Sequence, residues 1–222
     1  MNILQKFIHI PLHGARLYFQ IRSRWPLWFY VLNHTSRMLY RKEKQELTAV
    51  QKRITADLQR DGIAVAHIDE LIPAKQILPV LQEYTRQRMT SADIKTHKVF
   101  LKNLWDAVPF LDFDNPFVQF AIDNAVLAPV NSYMNMLTKF YYFTLNVTTP
   151  VLEGTTAVQS QRWHRDPEDK KLCKVFLYLS DVDETAGPFI YIKGSHHGGR
   201  WRGIFRQEPP RGSYPPEGAV EK

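Results

Sequence analysis

The spacing of apolar residues along the chain changes near residue 138. Before this point they recur at steps of three and four residues, which predicts amphipathic helices. The clearest example is the series Leu47, Val50, Ile54 and Leu58, and Gly62 follows it where a helix C-terminal cap is expected. A helix that ends close to Gly62 is therefore predicted.

Two more helices and one short strand are predicted in the same half of the chain. One helix begins near Ile77. Another begins at Asn115 and extends to about Leu127, because Asn at the N-cap followed by Pro116 is a common helix start. The short apolar run at residues 63–67 is predicted to be a strand. We expect these helices to cover one face of a sheet.

From residue 138 onward apolar and polar residues alternate, and β-branched and aromatic residues are frequent. This pattern is typical of β-strands. The segments between the alternating runs contain the Gly, Pro and Asp residues that turns use. Four strands are therefore predicted, at residues 139–148, 157–164, 172–180 and 189–193.

Helices followed by a run of short strands predict an α+β protein. We expect a double-stranded β-helix core, the jelly roll of cupin-like proteins, with the N-terminal helices packed on its sheet. A jelly roll has about eight strands, whereas the sequence predicts only about five. Residues 194–222 add Gly, Pro and charged residues without convincing alternation. The C-terminal strands are therefore expected to be missing.

Length and cysteine content indicate the class of protein. A chain of 222 residues is long enough to bury one substantial core. Its single cysteine, Cys173, cannot form an internal disulfide, which favours a reducing compartment and predicts a cytoplasmic location. The change in composition divides the chain into a basic, aromatic N-terminal segment at residues 1–45 and a folded domain at residues 46–222.

The positive charge is concentrated in this N-terminal segment. Residues 1–60 contain 11 Lys and Arg against three acids, and no acid precedes Glu43. Three interpretations remain open: a cationic arm that packs its aromatic side chains on the domain, a segment that lies on an anionic membrane surface, and a transit peptide. The apolar run at residues 26–32 is too short to span a bilayer, which needs about 20 residues.

Nucleic-acid binding is another common use of positive charge. The sequence has no zinc-finger spacing, no helix-turn-helix signal and no aromatic RNA-binding motif. We therefore predict a small-molecule substrate and no nucleic-acid partner, with peripheral membrane contact through the basic segment kept as an alternative.

The strongest chemical pattern is formed by His164 and Asp166, within the segment Gln-Arg-Trp-His-Arg-Asp-Pro at residues 161–167. Side chains two apart on a strand point to the same side, so the imidazole and the carboxylate can reach one metal ion. With one more histidine they would form the facial triad of non-haem iron oxygenases. The alternative is a strand-end histidine that hydrogen-bonds to a turn aspartate. The pattern is too short to decide between these two interpretations.

Three segments together resemble the phytanoyl-CoA dioxygenase family. Leu-Gln-Arg-Asp-Gly-Ile-Ala-Val at residues 58–65 is similar to the end of the family's opening helix and the strand after it. Trp-His-Arg-Asp at residues 163–166 resembles its iron-binding motif. Gly-Pro-Phe-Ile-Tyr-Ile-Lys-Gly-Ser-His at residues 187–196 resembles its Gly-Ser-His stretch. The resemblance covers well over half of the chain.

This resemblance implies an enzyme with a double-stranded β-helix in which His164 and Asp166 bind Fe(2+). It implies a dioxygenase that uses molecular oxygen and 2-oxoglutarate, hydroxylates a small organic substrate, and releases succinate and carbon dioxide. The family has a third ligand, a histidine on a late strand, and an arginine that pairs with 2-oxoglutarate. Neither has a counterpart here, because His196 and His197 occupy the turn that does not bind iron.

Two explanations of the incomplete ligand set are open. The chain is either an inactive, C-terminally truncated fragment of an oxygenase or a degenerate jelly-roll binding protein without catalytic activity. We expect little or no activity from this chain, because two ligands hold ferrous iron loosely.

Three residues are candidates for contact with 2-oxoglutarate. Alternation along residues 172–180 turns Lys174 and Phe176 toward the barrel interior. Lys174 is predicted either to pair with a bound carboxylate or to discourage pairing at a strand edge. Asn146 lies where relatives in the family place an amide against the co-substrate. The alternative interpretation is that its side chain makes a local hydrogen bond near a turn. Arg165 is either a surface residue or an anion contact at the mouth of the site.

Overall fold

The computed structural model describes residues 12–43, 46–91, 95–98, 100–105, 107–109, 112–149, 154–166, 168–207, 213–216 and 218–220. The described helices are α1 (Leu12–Arg22), a π-helix (Leu27–Leu32), α2 (His34–Glu43), α3 (Ala49–Asp61), α4 (Ile68–Leu71), α5 (Ile77–Ser91), α6 (Pro116–Ile122) and α7 (Asn124–Met134). The described strands are β1 (Lys95–Lys98), β2 (Leu101–Asn103) and β3 (Asn146–Thr148). Two short 3-10 helices follow, Gln159–Gln161 and Glu184–Ala186.

Local capping explains where α3 begins and ends. Thr48 at the N-cap accepts a hydrogen bond from the backbone N–H of Gln51, and the Gln51 side chain accepts one from the backbone N–H of Thr48. This capping box satisfies two N–H groups near the start of the helix. Gly62 ends the helix in the left-handed conformation, with a φ of 79°. The predicted helix and its glycine cap are confirmed.

The helix predicted from Ile77 is confirmed as α5. The single helix predicted from Asn115 is instead divided into α6 and α7, because Asp123 is extended and its carboxylate accepts from the N–H of Ala125. An aspartate in that position starts a new helix. The predicted N-cap itself is confirmed, since the Asn115 side chain accepts from the N–H of Phe117.

The packing of α3 on α7 depends on a proline. Pro129 lies inside α7 and has no N–H, so the carbonyl of Ala125 one turn earlier lacks its usual donor. The side chain of Gln51, which is buried in α3, donates to that carbonyl at 3.3 Å. A residue of one helix thus satisfies the group that the proline leaves unpaired in the other, which specifies the face of α3 that meets α7.

Three apolar clusters form the core of the described residues. The first joins the π-helix to α3 and the end of α7 and contains Trp28, Leu58, Tyr133, Met134 and Met136. The second lies between α4, α5, α6 and α7 and contains Ile68, Ile72, Leu81, Phe120 and Val126. The third contains Leu104, Trp105 and Leu145. Within the described part of the chain, every buried large apolar side chain precedes residue 146.

The basic N-terminal segment contacts the rest of the described chain through several side chains, of which Trp28 is the most deeply buried. Trp28 is only 3% exposed, and its indole Nε1 donates to Asp169 Oδ1 at 2.8 Å. The guanidinium of Arg37, on α2, lies 3.9 Å from the centroid of the Phe29 ring. None of the helices in the described ranges is both long enough and apolar enough to cross a membrane.

The described sheet is antiparallel, in the order β1-β2-β3. β2 pairs with β3 so that Leu101 is opposite Thr148 and Asn103 is opposite Asn146. Of the predicted strand at residues 139–148, only its end pairs in this way.

The other strand predictions differ from the described structure. The strand predicted at residues 157–164 is wrong, because a 3-10 helix lies inside it. Residues 63–67, 172–180 and 189–193 are irregular and are not paired as strands in the described structure. A jelly roll is neither demonstrated nor excluded by this arrangement, so it stays a prediction.

Residues 172–180 show why the alternation was misleading. Cys173, Leu177 and Leu179 pack against the apolar clusters, as the alternation predicts for one side of this run, but Val175 on the same side is 55% exposed. Phe176 and Tyr178, on the other side, are about half exposed and line no enclosed barrel among the described residues. Alternation of apolar and polar residues indicates which side chains are buried. In this segment the burial comes from packing on helices, and the backbone is not paired as a strand in the described structure.

Candidate functional site

The two predicted metal ligands converge in the segment that follows the 3-10 helix Gln159–Gln161. His164 Nε2 and Asp166 Oδ1 are 3.6 Å apart. His164 Nδ1 is 2.7 Å from the carbonyl oxygen of Arg162, so its N–H donates there and Nε2 faces the carboxylate. Metal-binding histidines are commonly oriented by a hydrogen bond from the other ring nitrogen in this way.

Lys174 also belongs to this cluster. Its Nζ is 2.8 Å from Asp166 Oδ1, the oxygen that faces His164. The side chains of all three residues are partly buried. Lys174 therefore pairs with a carboxylate in the described structure, and that carboxylate is Asp166.

These three groups shift one another's pKa values. Burial alone would raise the pKa of Asp166, but the neighbouring His164 imidazole and the hydrogen bond from Lys174 outweigh it and lower that pKa to about 2. The nearby carboxylate of Asp166 raises the pKa of His164, and burial partly opposes it. Burial disfavours the charge of Lys174, yet its bond to Asp166 leaves its pKa raised. Asp166 is consequently ionised at neutral pH, as a metal ligand or an ion-pair partner must be.

The donor set fits part of an iron site. Imidazole nitrogen and carboxylate oxygen are ligands that suit non-haem iron(II). No third His, Cys, Asp or Glu side chain joins them in the described portion of the chain. His196 Nε2 is instead 3.2 Å from the carbonyl oxygen of Gln59, and the ring of His197 stacks on Trp25 with centroids 4.9 Å apart. The described residues thus supply two positions of a facial triad.

The other two candidates for contact with 2-oxoglutarate have local contacts. The side-chain amide of Asn146 donates to Thr144 Oγ1 at 2.8 Å. The ring of Phe176 stacks on Phe189 with centroids 4.4 Å apart. The contacts described for these two residues do not include His164, so the structure groups only Lys174 with the predicted ligands.

Arg165 fastens the ligand segment to a later loop. Its guanidinium donates to the carbonyl oxygens of Ser195, Ile204 and Phe205. Its backbone pairs with Ser213 in both directions, with N···O distances of 2.8 and 3.2 Å. Burial lowers the pKa of Arg165. Three of its N–H donors are thus engaged by backbone carbonyls, a role that the sequence did not indicate.

The three segments that carry the family resemblance lie against one another. The backbone N–H of Gly194 donates to the carbonyl of Asp61, the last residue of α3, at 2.7 Å. Next to Gly194, the carbonyl of Ser195 accepts from Arg165 Nη1, also at 2.7 Å. The helix end, the His-x-Asp segment and the Gly-Ser-His turn are therefore connected directly, although about 130 residues of sequence separate the first from the last.

A second polar cluster was not predicted from the sequence. Lys171 Nζ donates to the carbonyl oxygen of Tyr133 at 2.7 Å and lies 3.6 Å from the centroid of its ring. Burial lowers the pKa of Lys171 to about 8, and burial raises the pKa of the nearby Cys173 thiol to about 11. Lysines are adjacent at positions 170 and 171, and nothing in the sequence shows which one is buried.

Comparison of the chain with protein-family models, with curated proteins and with solved structures finds no match in any of the three. The resemblance to the phytanoyl-CoA dioxygenase family therefore rests on the quoted segments, and it remains a prediction.

Proposed function

We propose that this protein is an iron(II)- and 2-oxoglutarate-dependent oxygenase of the phytanoyl-CoA dioxygenase kind, in which His164 and Asp166 are two of the iron ligands. The observation that carries the proposal is the 3.6 Å approach of His164 Nε2 to Asp166 Oδ1, with Nδ1 engaged by a backbone carbonyl. The contacts among the three family-like segments support it further, because each segment was identified independently. The proposal requires a third ligand, because no third His, Cys, Asp or Glu side chain joins these two in the part of the chain that the structure describes.

Bound iron would supply the oxidation of a C–H bond in a small organic substrate, coupled to conversion of 2-oxoglutarate to succinate and carbon dioxide. The protein's part is to hold its ligands in place. Arg162 orients the imidazole of His164 through its carbonyl, and Arg165 fixes the backbone between the two ligands. A cytoplasmic location belongs to the same proposal, since ferrous iron and the single free thiol of Cys173 both suit a reducing compartment.

Lys174 has a defined part in this proposal. Its ammonium group and a metal ion compete for Asp166 Oδ1, because both are cations. If Asp166 held an iron ion, the ammonium group of Lys174 would be displaced from Oδ1 and would lie beside the site. There it can pair with a carboxylate of 2-oxoglutarate, which is the role that the sequence suggested for it.

The second candidate function is a binding protein without catalytic activity. The observation that favours it is the same ion pair, since Lys174 at 2.8 Å neutralises Asp166 without any metal ion. In that case His164, Asp166 and Lys174 form a structural cluster that holds the segment in place.

Anaerobic titration with ferrous iron, or with cobalt(II) followed by its absorption, distinguishes the two functions. In an oxygenase, His164→Ala lowers metal affinity by at least about tenfold. The control variant His34→Ala, which removes an exposed histidine of α2, leaves the metal affinity unchanged. Affinity also falls as the pH decreases through the raised pKa of His164, because a protonated imidazole cannot bind metal. Equal affinities for the two alanine variants would contradict the proposed ligand.

Lys174→Met sharpens the result. In an oxygenase it increases metal affinity, because a competing cation is lost, and it weakens binding of 2-oxoglutarate to the metal-loaded protein. In a structural cluster it lowers thermal stability and creates no metal binding. Lys139→Met, which removes an exposed lysine, is the matched control for loss of one charge.

A further inference from the structure

The N-terminal segment carries a large share of the exposed apolar surface. Among the residues that the structure describes, nine of the 27 exposed large apolar side chains lie between residues 17 and 39. The five most exposed of these are 52–63% accessible: Leu17, Tyr18, Tyr30, Val31 and Leu32. An exposed apolar cluster of this size typically marks an interaction surface.

α1 and the π-helix form this surface together. Tyr18 and Ile21 of α1 and Leu27 and Leu32 of the π-helix line one groove, and Arg22 completes its lining. We refer to residues 17–32 as the N-terminal face. Because Trp28 is buried in the first core cluster, the face is presented from a segment that is anchored to the core.

The N-terminal face itself carries positive charge and contains no acidic residue. Residues 1–42 contain no Asp or Glu. Arg24, within the face, and Arg41 and Lys42, at the end of α2, are exposed. Arg22 is 3.5 Å from Asp169 through a partly exposed ion pair, which weakly compensates one of these charges. Exposed apolar side chains and the exposed Arg24 therefore occur together within the face, and Arg41 and Lys42 follow on the next helix of the same segment.

We propose that the N-terminal face docks on the surface of an anionic lipid bilayer. In this arrangement Tyr18, Val31 and Leu32 enter the boundary between headgroups and acyl chains, and the arginines lie among the anionic headgroups. A bilayer surface is the partner that uses both features, since tyrosine is favoured at that boundary and basic residues are attracted to anionic lipids. Nucleic acid would engage the arginines but would leave the exposed valine and leucine side chains without a partner. This inference does not depend on the proposed oxygenase activity.

Flotation of the full chain with lipid vesicles tests the proposal. We expect it to float with vesicles of phosphatidylcholine mixed with phosphatidylserine, to float far less with phosphatidylcholine alone, and to be released by high salt. Val31→Asp should lower partitioning by roughly tenfold or more, because it removes an inserting side chain and adds a repelled charge. Val65→Asp is the matched control, since Val65 is 78% exposed on the segment after α3 and undergoes the same change in charge.

A second pair of variants tests the charges alone. Arg24→Gln combined with Arg41→Gln should reduce partitioning by about fivefold for each arginine removed. Lys52→Gln combined with Lys139→Gln removes the same charge from exposed positions beyond the N-terminal segment and should change partitioning much less. Circular dichroism of each variant verifies that it is folded.

Two results would overturn the proposal. One is partitioning that does not depend on phosphatidylserine, or that falls equally in Val31→Asp and Val65→Asp. The other is a dimer, found by sedimentation velocity without lipid, that Val31→Asp dissociates. That result would assign the face to contact between copies of this chain.

Discussion

The helical region before residue 146 and the region after it use their residues differently. The earlier region contains every buried large apolar side chain of the described structure. The later region contains all of the candidate ligand and co-substrate residues, most of them in irregular segments that pack on the helices. Stability and candidate chemistry are thus separated along the chain, as is common where a rigid scaffold supports functional loops.

This difference shows how the candidate site is supported. His164 and Asp166 are held through hydrogen bonds to backbone carbonyls and through one ion pair. The helices are held by apolar clusters with capped ends. A change in the helical core should therefore affect global stability, and a change in the later region should affect mainly local order.

The largest effect is expected from Leu81→Ala. Leu81 is fully buried in the second cluster, so the variant should lose about 3 kcal/mol in the free energy of unfolding, through lost burial and the cavity left behind. Leu177→Ala is the matched control, because Leu177 packs against the same cluster from the later region but is only partly buried. It should cost about 1 kcal/mol. Urea denaturation measures both, and equal losses would contradict the contrast between the regions.

Gly62→Ala tests the contact between the regions. Gly62 has a φ of 79°, and an added Cβ would lie 2.5 Å from Tyr191 Oη and 2.6 Å from His196 Nδ1. The variant should lose about 2 kcal/mol or more, from backbone strain and from displacement of the Gly-Ser-His turn. Gly154→Ala is the control, because Gly154 has a φ of 77° and no atom within 4 Å of the added Cβ. It should lose only about 1 kcal/mol, so the difference measures the close approach.

The same contrast explains which predictions from the sequence were correct. The limits of α3 were predictable because they depend on local chemistry, a capping box and a glycine that adopts a positive φ. The division at Asp123 was missed, because an aspartate inside an apolar run does not by itself show whether it caps a new helix. The strand predictions failed for a different reason, because backbone pairing of a strand depends on a partner strand that is distant in sequence.

Within the candidate site, the sequence supplied the residues that carry chemistry and missed those that position them. His164, Asp166 and Lys174 were candidates, and the structure brings them together. Arg165 was ambiguous, because its acceptors are backbone carbonyls some 30 to 40 residues later, which have no side-chain signature. Lys171 was missed because its burial depends on tertiary packing against Tyr133.

Lys171 also gives the later region a pH dependence. Its pKa is lowered from 10.5 to about 8, so the folded protein binds this proton more weakly than the unfolded chain does. The charged form therefore costs stability near neutral pH, and this cost disappears as the pH rises from about 8 to about 10.5. The stability of Lys171→Met relative to the unsubstituted protein should decline by about 1 kcal/mol over that interval. Denaturation at several pH values measures the difference, with the exposed Lys139→Met as the control for loss of a lysine. If the stability of Lys171→Met relative to the unsubstituted protein rose with pH, the lowered pKa of Lys171 would be contradicted.

The smallest effect is expected from Arg22→Gln, at one of the links between the N-terminal segment and the later region. Arg22 Nη2 is 3.5 Å from Asp169 Oδ2, and both side chains are about one third exposed, so loss of this ion pair should cost less than about 0.5 kcal/mol. Trp28→Phe removes another donor to the same carboxylate, at 2.8 Å, and should cost more, because the carboxylate loses a hydrogen bond from a buried indole and the smaller ring leaves a cavity. Urea denaturation gives the free energy of unfolding of both variants. It thereby compares a solvent-exposed ion pair with a buried hydrogen bond to the same carboxylate. An equal loss in the free energy of unfolding for Arg22→Gln and Trp28→Phe would contradict this expectation. It would mean that the Arg22–Asp169 ion pair contributes as much to holding the N-terminal segment on the later region as buried Trp28 does.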